Sequence, residues 1–251
     1  VTALAEGEAQ AVVSGGNTGA LMAVARKQLG MIEGIDRPAV TALWPTPRGR
    51  SVVLDVGANV EADEDQLVQF AIMGEAFFRS LMNVKKPTVG LLNVGAEDLK
   101  GHELIRTAAR VLREADPDMA FKGFVEGDDI SKGTVDVVVT DGFTGNVMLK
   151  ACETLAEFMI ELIREELMSS VRTRVGAWLS QPAFREVRRR SDPAEIGGAP
   201  LLGMKGCCVI GHGKSSARAV MHGIRTAAEF FASGVNDSIE TELRSLGARK
   251  E

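Results

Sequence analysis

One unit, repeated five times, constrains this chain more than any other feature: a short apolar β-run, a Gly-spaced polar turn, then a helical pattern. Val135 to Thr140 runs into Asp141-Gly142-Phe143-Thr144-Gly145 and a helical pattern from Asn146. Ala11 to Ser14 runs into Gly15-Gly16-Asn17-Thr18-Gly19, and Val52 to Asp55 into Val56-Gly57-Ala58-Asn59. Val89 to Asn93 leads to the turn Val94 to Gly101, and Cys208 to Ile210 to the turn Gly211 to Ser216. Strands joined by crossover helices pair in parallel. In a parallel sheet such turns open on one edge, where ligands bind. Each turn also offers free backbone N–H groups at a helix N-terminus, where the dipole favours an anion. Glycine and asparagine also serve tight turns for their own sake. Five turns that each carry Asn, Lys, Asp or His predict a shared site.

Bulk properties narrow the class. The 251 residues, 45% hydrophobic and 25% charged, suit one large α/β domain or such a domain with an insert. A net charge of −5 supplies no basic field for nucleic acid. Cys152, Cys207 and Cys208 lack metal-ligand spacing, and the expectation is reduced core thiols in a cytosolic protein. Three histidines without an HExxH pattern give no expectation of a zinc site. No signal peptide and no apolar run of ~18 residues stands out, so no membrane span is expected. Val1 to Gln10 reads as the tail of a helix already under way, so the chain is expected to be a fragment of a longer protein.

Between the units, Ala20 to Leu29 is helical and Ala39 to Leu43 forms a further strand, with Pro45 and Pro47 breaking the chain after it. Leu67, Phe70, Ala71, Gly74, Phe77 and Phe78 mark a long helix over Asp63 to Met82. Glu103 to Glu114 is helical, Pro117 lies beyond it, and Phe121 to Val125 is a strand. Met148 to Leu179 departs from the rhythm with an apolar stripe from Leu155 through Phe158, Leu162 and Val171 to Trp178. Arg164, Arg172 and Arg174 interrupt it, and Arg185, Arg188, Arg189 and Arg190 follow Pro182. The stripe suits a helix packed in the core or a dimer interface. That is the default for such a stripe; the sharper reading is an amphipathic hairpin resting on an anionic membrane. Asp192 to Met204 reads as a loop, Ser215 to Ala232 as the last firm helix, and Ser233 to Glu251 as a polar stretch that frays at its end.

Familiar catalytic motifs are missing. No GxGxxG follows a strand, which removes the nicotinamide and flavin fingerprint. Gly213-Lys214-Ser215 resembles the end of a Walker A loop, but Cys208 stands where that motif needs glycine. A simple phosphate could still be held there by N–H groups and Lys214. Without GxSxG, an acyl-serine route is not expected. What remains is a set of polar turn residues: Asn17, Thr18, Asn59, Asn93, Glu97, Lys100, Asp141, Thr144, Asn146, His212 and Ser215. Lysine and asparagine beside free N–H groups suit a small anionic substrate and a developing oxyanion. Glu97 and Lys100, three apart, also suit an ordinary surface pair.

Several ordered phrases carry a resemblance. Ser14 to Met22, Gly34-Ile35-Asp36-Arg37-Pro38-Ala39, Leu54 to Asn59, Gly90 to Gly95 with Lys100-Gly101, Asp141 to Val147, Gly197 to Gly203 and His212-Gly213 resemble the bacterial phosphate acyltransferases. These move a fatty acyl group from acyl carrier protein to inorganic phosphate in phospholipid synthesis. The resemblance implies a single α/β catalytic domain over 1–251 with a helical hairpin insert at 148–190. It implies three α/β/α layers around a mainly parallel sheet, like the isocitrate and isopropylmalate dehydrogenases. It further implies a cytoplasmic homodimer, peripheral at the inner face of the cell membrane, with no metal or organic cofactor. Lys100 would meet phosphate or oxyanion charge, and Asn146 would supply a hydrogen bond to either. The backbones of Asn17-Thr18-Gly19 and of Gly142 to Gly145 would form the cradle, with Asn59, Asn93, Glu97, Asp141, Thr144, His212 and Ser215 around it. The match departs where the family's opening strand and Asp-Ala-Met-Gly-Gly-Asp loop are absent, and where Phe124 and Asp128 replace an expected Asn and Arg beside Glu126. Two other readings stand: a coenzyme A-dependent phosphate acetyl- or butyryltransferase, and a non-catalytic scaffold at the membrane surface.

Overall fold

A computed structural model describes residues 1–115, 119–191 and 198–248, with the side chains of 115, 188–191 and 246–248 left aside. Pro117 and the Asp192 to Gly197 part of the expected loop lie outside the described residues. The elements in chain order are α1 (Thr2–Ala5), β1 (Ala11–Ser14), α2 (Thr18–Gln28), β2 (Ala39–Thr46), β3 (Gly49–Leu54), α3 (Glu64–Met82), β4 (Thr88–Leu92), α4 (Glu103–Ala115) and β5 (Ala120–Val125). They continue with α5 (Gly127–Lys132), β6 (Val137–Val139), α6 (Gly142–Met168), α7 (Val171–Leu179), α8 (Gln181–Ser191), β7 (Ala199–Leu202), β8 (Cys207–Ile210), α9 (Ala217–Ala232) and α10 (Val235–Ala248).

The eight strands form one sheet in the order β1-β8-β7-β2-β3-β6-β4-β5. Side chains alternate between its faces, as the strand period of two requires. Val52, Leu54, Val137 and Val139 face one layer of helices, α3, α4, α9 and α10; Val53 and Val138 face the other, α1, α2, α5 and the start of α6. The result is three layers with two apolar cores. Helix α3 anchors the first core with Phe70, Met73 and Phe77 fully buried, and Phe77 meets Phe230 of α9 edge-on at 6.1 Å. It lies so close to the sheet that a Cβ on Gly74 would come within 2.6 Å of Val137. The capping box of Asp63 and Gln66 starts this helix, as the sequence order of those residues requires.

Four of the seven strand pairings are parallel (β1–β8, β3–β6, β6–β4, β4–β5), so the mainly parallel α/β architecture holds. The single edge does not. The pairs β8–β7, β7–β2 and β2–β3 are antiparallel, and these three reversals turn the β3–β6–β4–β5 half against the β1–β8 half. The turns after β1 and β8 therefore leave one edge, and the turns after β3, β4 and β6 leave the opposite one. The reversals come from the β2–β3 hairpin and from β7, a strand inside the segment read as a loop. Pro200 hides β7 from a propensity reading, yet its carbonyl accepts the Thr41 hydroxyl at 3.0 Å and the strand is buried.

Other expectations shift locally. Strand β2 runs through Pro45 instead of ending before it; β7 pairs only with Ala39 and Val40, so the exposed proline forfeits no ladder bond on that side. A further helix, α10, follows the one expected to be last, and the end of the chain past residue 248, where fraying is expected, lies outside the described residues. Val235 and Ile239 are buried, and Glu242 meets Arg79 of α3 at 2.8 Å. The apolar stripe is broken at Ser169-Ser170, where Ser170 caps α7, and α7 passes into α8 at Ser180. Its side chains are exposed along α6 and α7, not packed in this chain's core. Cys152 lies exposed on α6 and is no core thiol, whereas Cys207 and Cys208 are buried in β8. Burial pushes the Cys207 thiol up to about 12 and Cys208 to about 11. A thiol-directed reagent at neutral pH is therefore expected to modify Cys152 alone in the native protein and all three cysteines in denaturant. Equal native labelling at all three, read by peptide mass, would contradict the placement of β8.

Candidate active site

The turns after β3, β6 and β4 crowd one sheet edge, and their packing follows from small residues. Asp141 caps α6 by accepting the Thr144 N–H at 2.8 Å and the Thr144 hydroxyl at 2.7 Å. The stretch Gly142 to Gly145, read as a loop, is thus the first turn of α6. Gly142 lies against the backbone of Asn59, and a Cβ there would come within 2.6 Å of Asp55 Oδ2. A Cβ on Gly145 would collide with the Asp55 carbonyl oxygen. Asn146 rests on Gly57, 3.5 Å from where a Cβ would stand. Glycine is required at 142 and 145 because two backbones approach there within the space of one side chain.

The first-turn amides of a helix have no intrahelical partner. The N–H of Thr144 and that of Gly145 are taken up by Asp141. Those of Gly142 and Phe143 have no partner among the described residues, and neither does the exposed Asn146 amide. These donors lie at the positive end of a 27-residue helix, so negative charge is favoured there.

The neighbouring turn, 93–101, carries Lys100 and Glu97. Asn93 closes it from within: Nδ2 donates to the Gly95 carbonyl at 3.2 Å and the Lys100 carbonyl at 3.0 Å. Asn93 Oδ1 lies against Gly101, where φ is +83° and a Cβ would overlap that oxygen. This oxygen is buried without a hydrogen-bond partner among the described residues. Arginines of α4 hold the turn from outside. Arg106 donates to the Leu99 carbonyl at 3.0 Å, and Arg113 pairs with Asp98 at 2.9 Å while lying over Phe121. Neither arginine stood out in the sequence, because their partners lie seven and fifteen positions away.

In the turns after β3 and β4, electrostatics mark two carboxylates, Glu97 and Asp55. Lys100 Nζ meets Glu97 Oε1 at 2.8 Å, both side chains exposed. The Glu97 hydrogen bond raises the Lys100 pKa above its ordinary 10.5, and the Lys100 bond lowers that of Glu97. Lys100 is accordingly a cation at neutral pH and loses its proton only above its ordinary value. A rate that needs this cation is full below that pKa and falls as pH rises through it. Glu97→Gln is thus expected to move the alkaline fall in kcat to lower pH, and an unmoved profile would remove Lys100 from the rate-limiting step. Asp55 is the residue the turn motifs concealed. Burial pushes its carboxyl up from the ordinary value, against bonds from Ala58, Val40 and Asn59 that hold it down.

The structure divides the sequence-expected residues in two. Lys100, Glu97, Asn93, Asn59, Asp141, Gly142, Thr144, Gly145 and Asn146 belong to turns at one edge. Asn17, Thr18, Gly19, His212 and Ser215 belong to the other, where the Gly211 N–H donates to the Ser14 carbonyl at 2.8 Å and joins the two turns. Asn17 caps α2 through the Ala20 N–H, and Ser215 accepts the His212 N–H at 3.1 Å. Asn59 spends its amide on Pro38 and Asp55, and Asn93 spends its own on its turn, leaving neither a side-chain donor for substrate. Among the described residues no three His, Cys, Asp or Glu side chains gather as a metal site would require.

A mixed, mostly parallel sheet between two helical layers, with donor-rich turns at its strand ends, defines a three-layer α/β protein suited to an anionic ligand. Solved structures agree at the level of fold. A Streptococcus pyogenes phosphotransacetylase superposes with a TM-score of 0.57 at 15% identity, over 95% of this chain and 64% of that one. An Enterococcus faecalis branched-chain phosphotransacylase gives 0.57 at 16% identity, over 91% of this chain and 76% of that one. Residues 1–238 match the family described as fatty acid synthesis protein. The phosphate acyltransferase of Caulobacter vibrioides is 51% identical over 99% of this chain and 69% of its own length. That of Parvibaculum lavamentivorans is 50% identical over 98% of this chain and 68% of its length. The chain belongs to the fatty acid synthesis protein family, among its phosphate acyltransferases, and is an acyltransferase by descent.

Proposed function

We propose that this protein moves a fatty acyl group from the thioester of acyl carrier protein to inorganic phosphate, releasing acyl phosphate and the free carrier thiol. The observation that carries the reading is 51% identity to a phosphate acyltransferase along 99% of the chain. The α6 N-terminus supports it chemically. A phosphate oxygen attacks the thioester carbonyl carbon, the carbonyl oxygen becomes an oxyanion, and the carbon–sulfur bond breaks with the thiolate leaving. Phosphate is the nucleophile, so no covalent enzyme intermediate is needed. The chain must hold a dianion in line and stabilise the oxyanion. The Gly142 and Phe143 N–H groups and the Asn146 amide, without partners among the described residues, and the Lys100 cation are suited to both tasks. The turns at the opposite edge, with Asn17 and His212, lie outside this group.

The test is direct: the protein, acyl carrier protein thioester and phosphate are incubated, and acyl phosphate is sought by trapping with hydroxylamine. A coenzyme A thioester used in place of the carrier protein as efficiently would favour the acetyl- or butyryltransferase reading. No acyl phosphate from either donor would leave the scaffold reading. Helices α6 to α8 form the remaining part of the proposal, a projecting helical insert for a second copy and for an anionic membrane. Leu155, Phe158, Leu162 and Trp178 are exposed there in a density unusual for a solvated face.

A further inference from the structure

We infer that Asp55 is a positioning residue that acts on the acyl transfer through Asn146. The inference rests on reading the α6 N-terminus as the reaction site. Asp55 is fully buried and cannot touch a substrate. Its Oδ1 accepts from the N–H groups of Val40 at 3.0 Å, Gly57 at 3.1 Å and Ala58 at 2.9 Å. Its Oδ2 accepts from the N–H groups of Ala58 at 3.1 Å and Asn59 at 2.7 Å, and from Asn59 Nδ2 at 2.9 Å. Three successive amides that could have cradled a substrate anion are therefore filled by the chain's own carboxylate. The turn becomes a rigid shelf tied to β2.

That shelf is what α6 stands on. Gly142 meets Asn59, Gly145 meets the Asp55 carbonyl, and Asn146 meets Gly57. If the carboxylate is replaced by an amide, the same shape must place an NH₂ group against backbone donors, and the shelf shifts. Asn146 shifts with it, as do the Gly142 and Phe143 N–H groups. Displacements of about 1 Å in such donors are worth as much as 10²-fold in rate.

A double-mutant cycle separates this role from general support of the fold. Asp55→Asn is expected to lower kcat about 10-fold or more, and Asn146→Ala about 10²-fold. The double variant should be slower than Asn146→Ala alone by clearly less than the factor that Asp55→Asn costs by itself, the remainder coming from the shifted Gly142 and Phe143 N–H groups. Losses that multiply would overturn the inference, because Asp55 would then act independently of Asn146. A wild-type kcat in Asp55→Asn would do the same. Should Asp55→Asn fail to give folded protein by circular dichroism, Asn59→Ala takes its place in the cycle. It removes one of the six bonds to the carboxylate and leaves the backbone donors. A full rate in Asn146→Ala would end the site reading itself, whereas a slow Asn146→Ala with multiplying losses ends only the role of Asp55.

Discussion

Alanine at Lys100 or at Asn146 is expected to cut turnover by about 10²-fold or more in a protein that keeps its fold, the scale of losing one oxyanion donor. Neither side chain is buried, and the Asn146 side chain rests on Gly57. Lys100 is exposed, and among the described residues its ion pair is with Glu97, three positions away. An exposed pair of this kind contributes little to stability. Asn146 is exposed and makes no hydrogen bond among the described residues. Lys100 lies in the turn after β4 and Asn146 near the start of α6 after β6, adjacent strands whose C-terminal ends share an edge. The two variants should differ in detail. Lys100→Ala removes a full charge and should also raise the KM for phosphate, while Asn146→Ala should act mainly on kcat. Folded variants with wild-type rates would show that the chemistry lies elsewhere, and the turns carrying Asn17 and His212 would become the next candidates.

The sequence made the units legible but not their directions. The pattern of β-run, glycine turn and helix located β1, β3, β4, β6 and β8, because each buried run is short, apolar and followed by residues suited to tight turns. It could not show that β7 exists, since four residues including Pro200 inside a Gly- and Pro-rich stretch carry no period. Without β7 and the β2–β3 hairpin, nothing in the sequence reverses the sheet, and all five turns read as sharing an edge. The same limit applies at the site. Asn59, Asn93 and Asp141 look like ligands because their side chains are polar and their turns are glycine-rich. Only the hydrogen bonds show that Asn59 is spent on Asp55, Asn93 on its own turn and Asp141 on the helix cap. Asp55, at the end of an apolar strand, looked like the strand's last residue, yet it organises the turn that follows.

Replacing Trp178 and Leu179 with glutamate is expected to release the protein from anionic vesicles while leaving its soluble activity intact. Both side chains stand out from α7, 73% and 67% exposed. On α6, Leu155, Phe158, Ile160 and Ile163 are exposed as well. No helix among the described residues is long and apolar enough to cross a membrane, so contact through this region would lie along the interface. Apolar insertion would supply most of the affinity, roughly 1.5–3 kcal/mol for each large side chain buried, and each basic residue near anionic lipid would add ~1 kcal/mol. Arg172 and Arg174 are placed on α7 for the second contribution. Losing two such apolar groups and gaining two negative charges should lower vesicle partition about 10²-fold or more. The rate with soluble carrier-protein thioester should not change, because α7 lies beyond the long α6, remote in sequence from Lys100 and Asn146. A location at the bilayer suits the chemistry, since an acyl phosphate is a labile amphiphile best released into lipid. The competing occupant of the same stripe is a second copy of the chain. Co-sedimentation with anionic vesicles at low salt, together with the mass in solution, decides between them. Wild-type protein that stays in the supernatant, or a double variant that still sediments, sinks the membrane role. A double variant that falls from dimer to monomer assigns Trp178 and Leu179 to the partner copy instead.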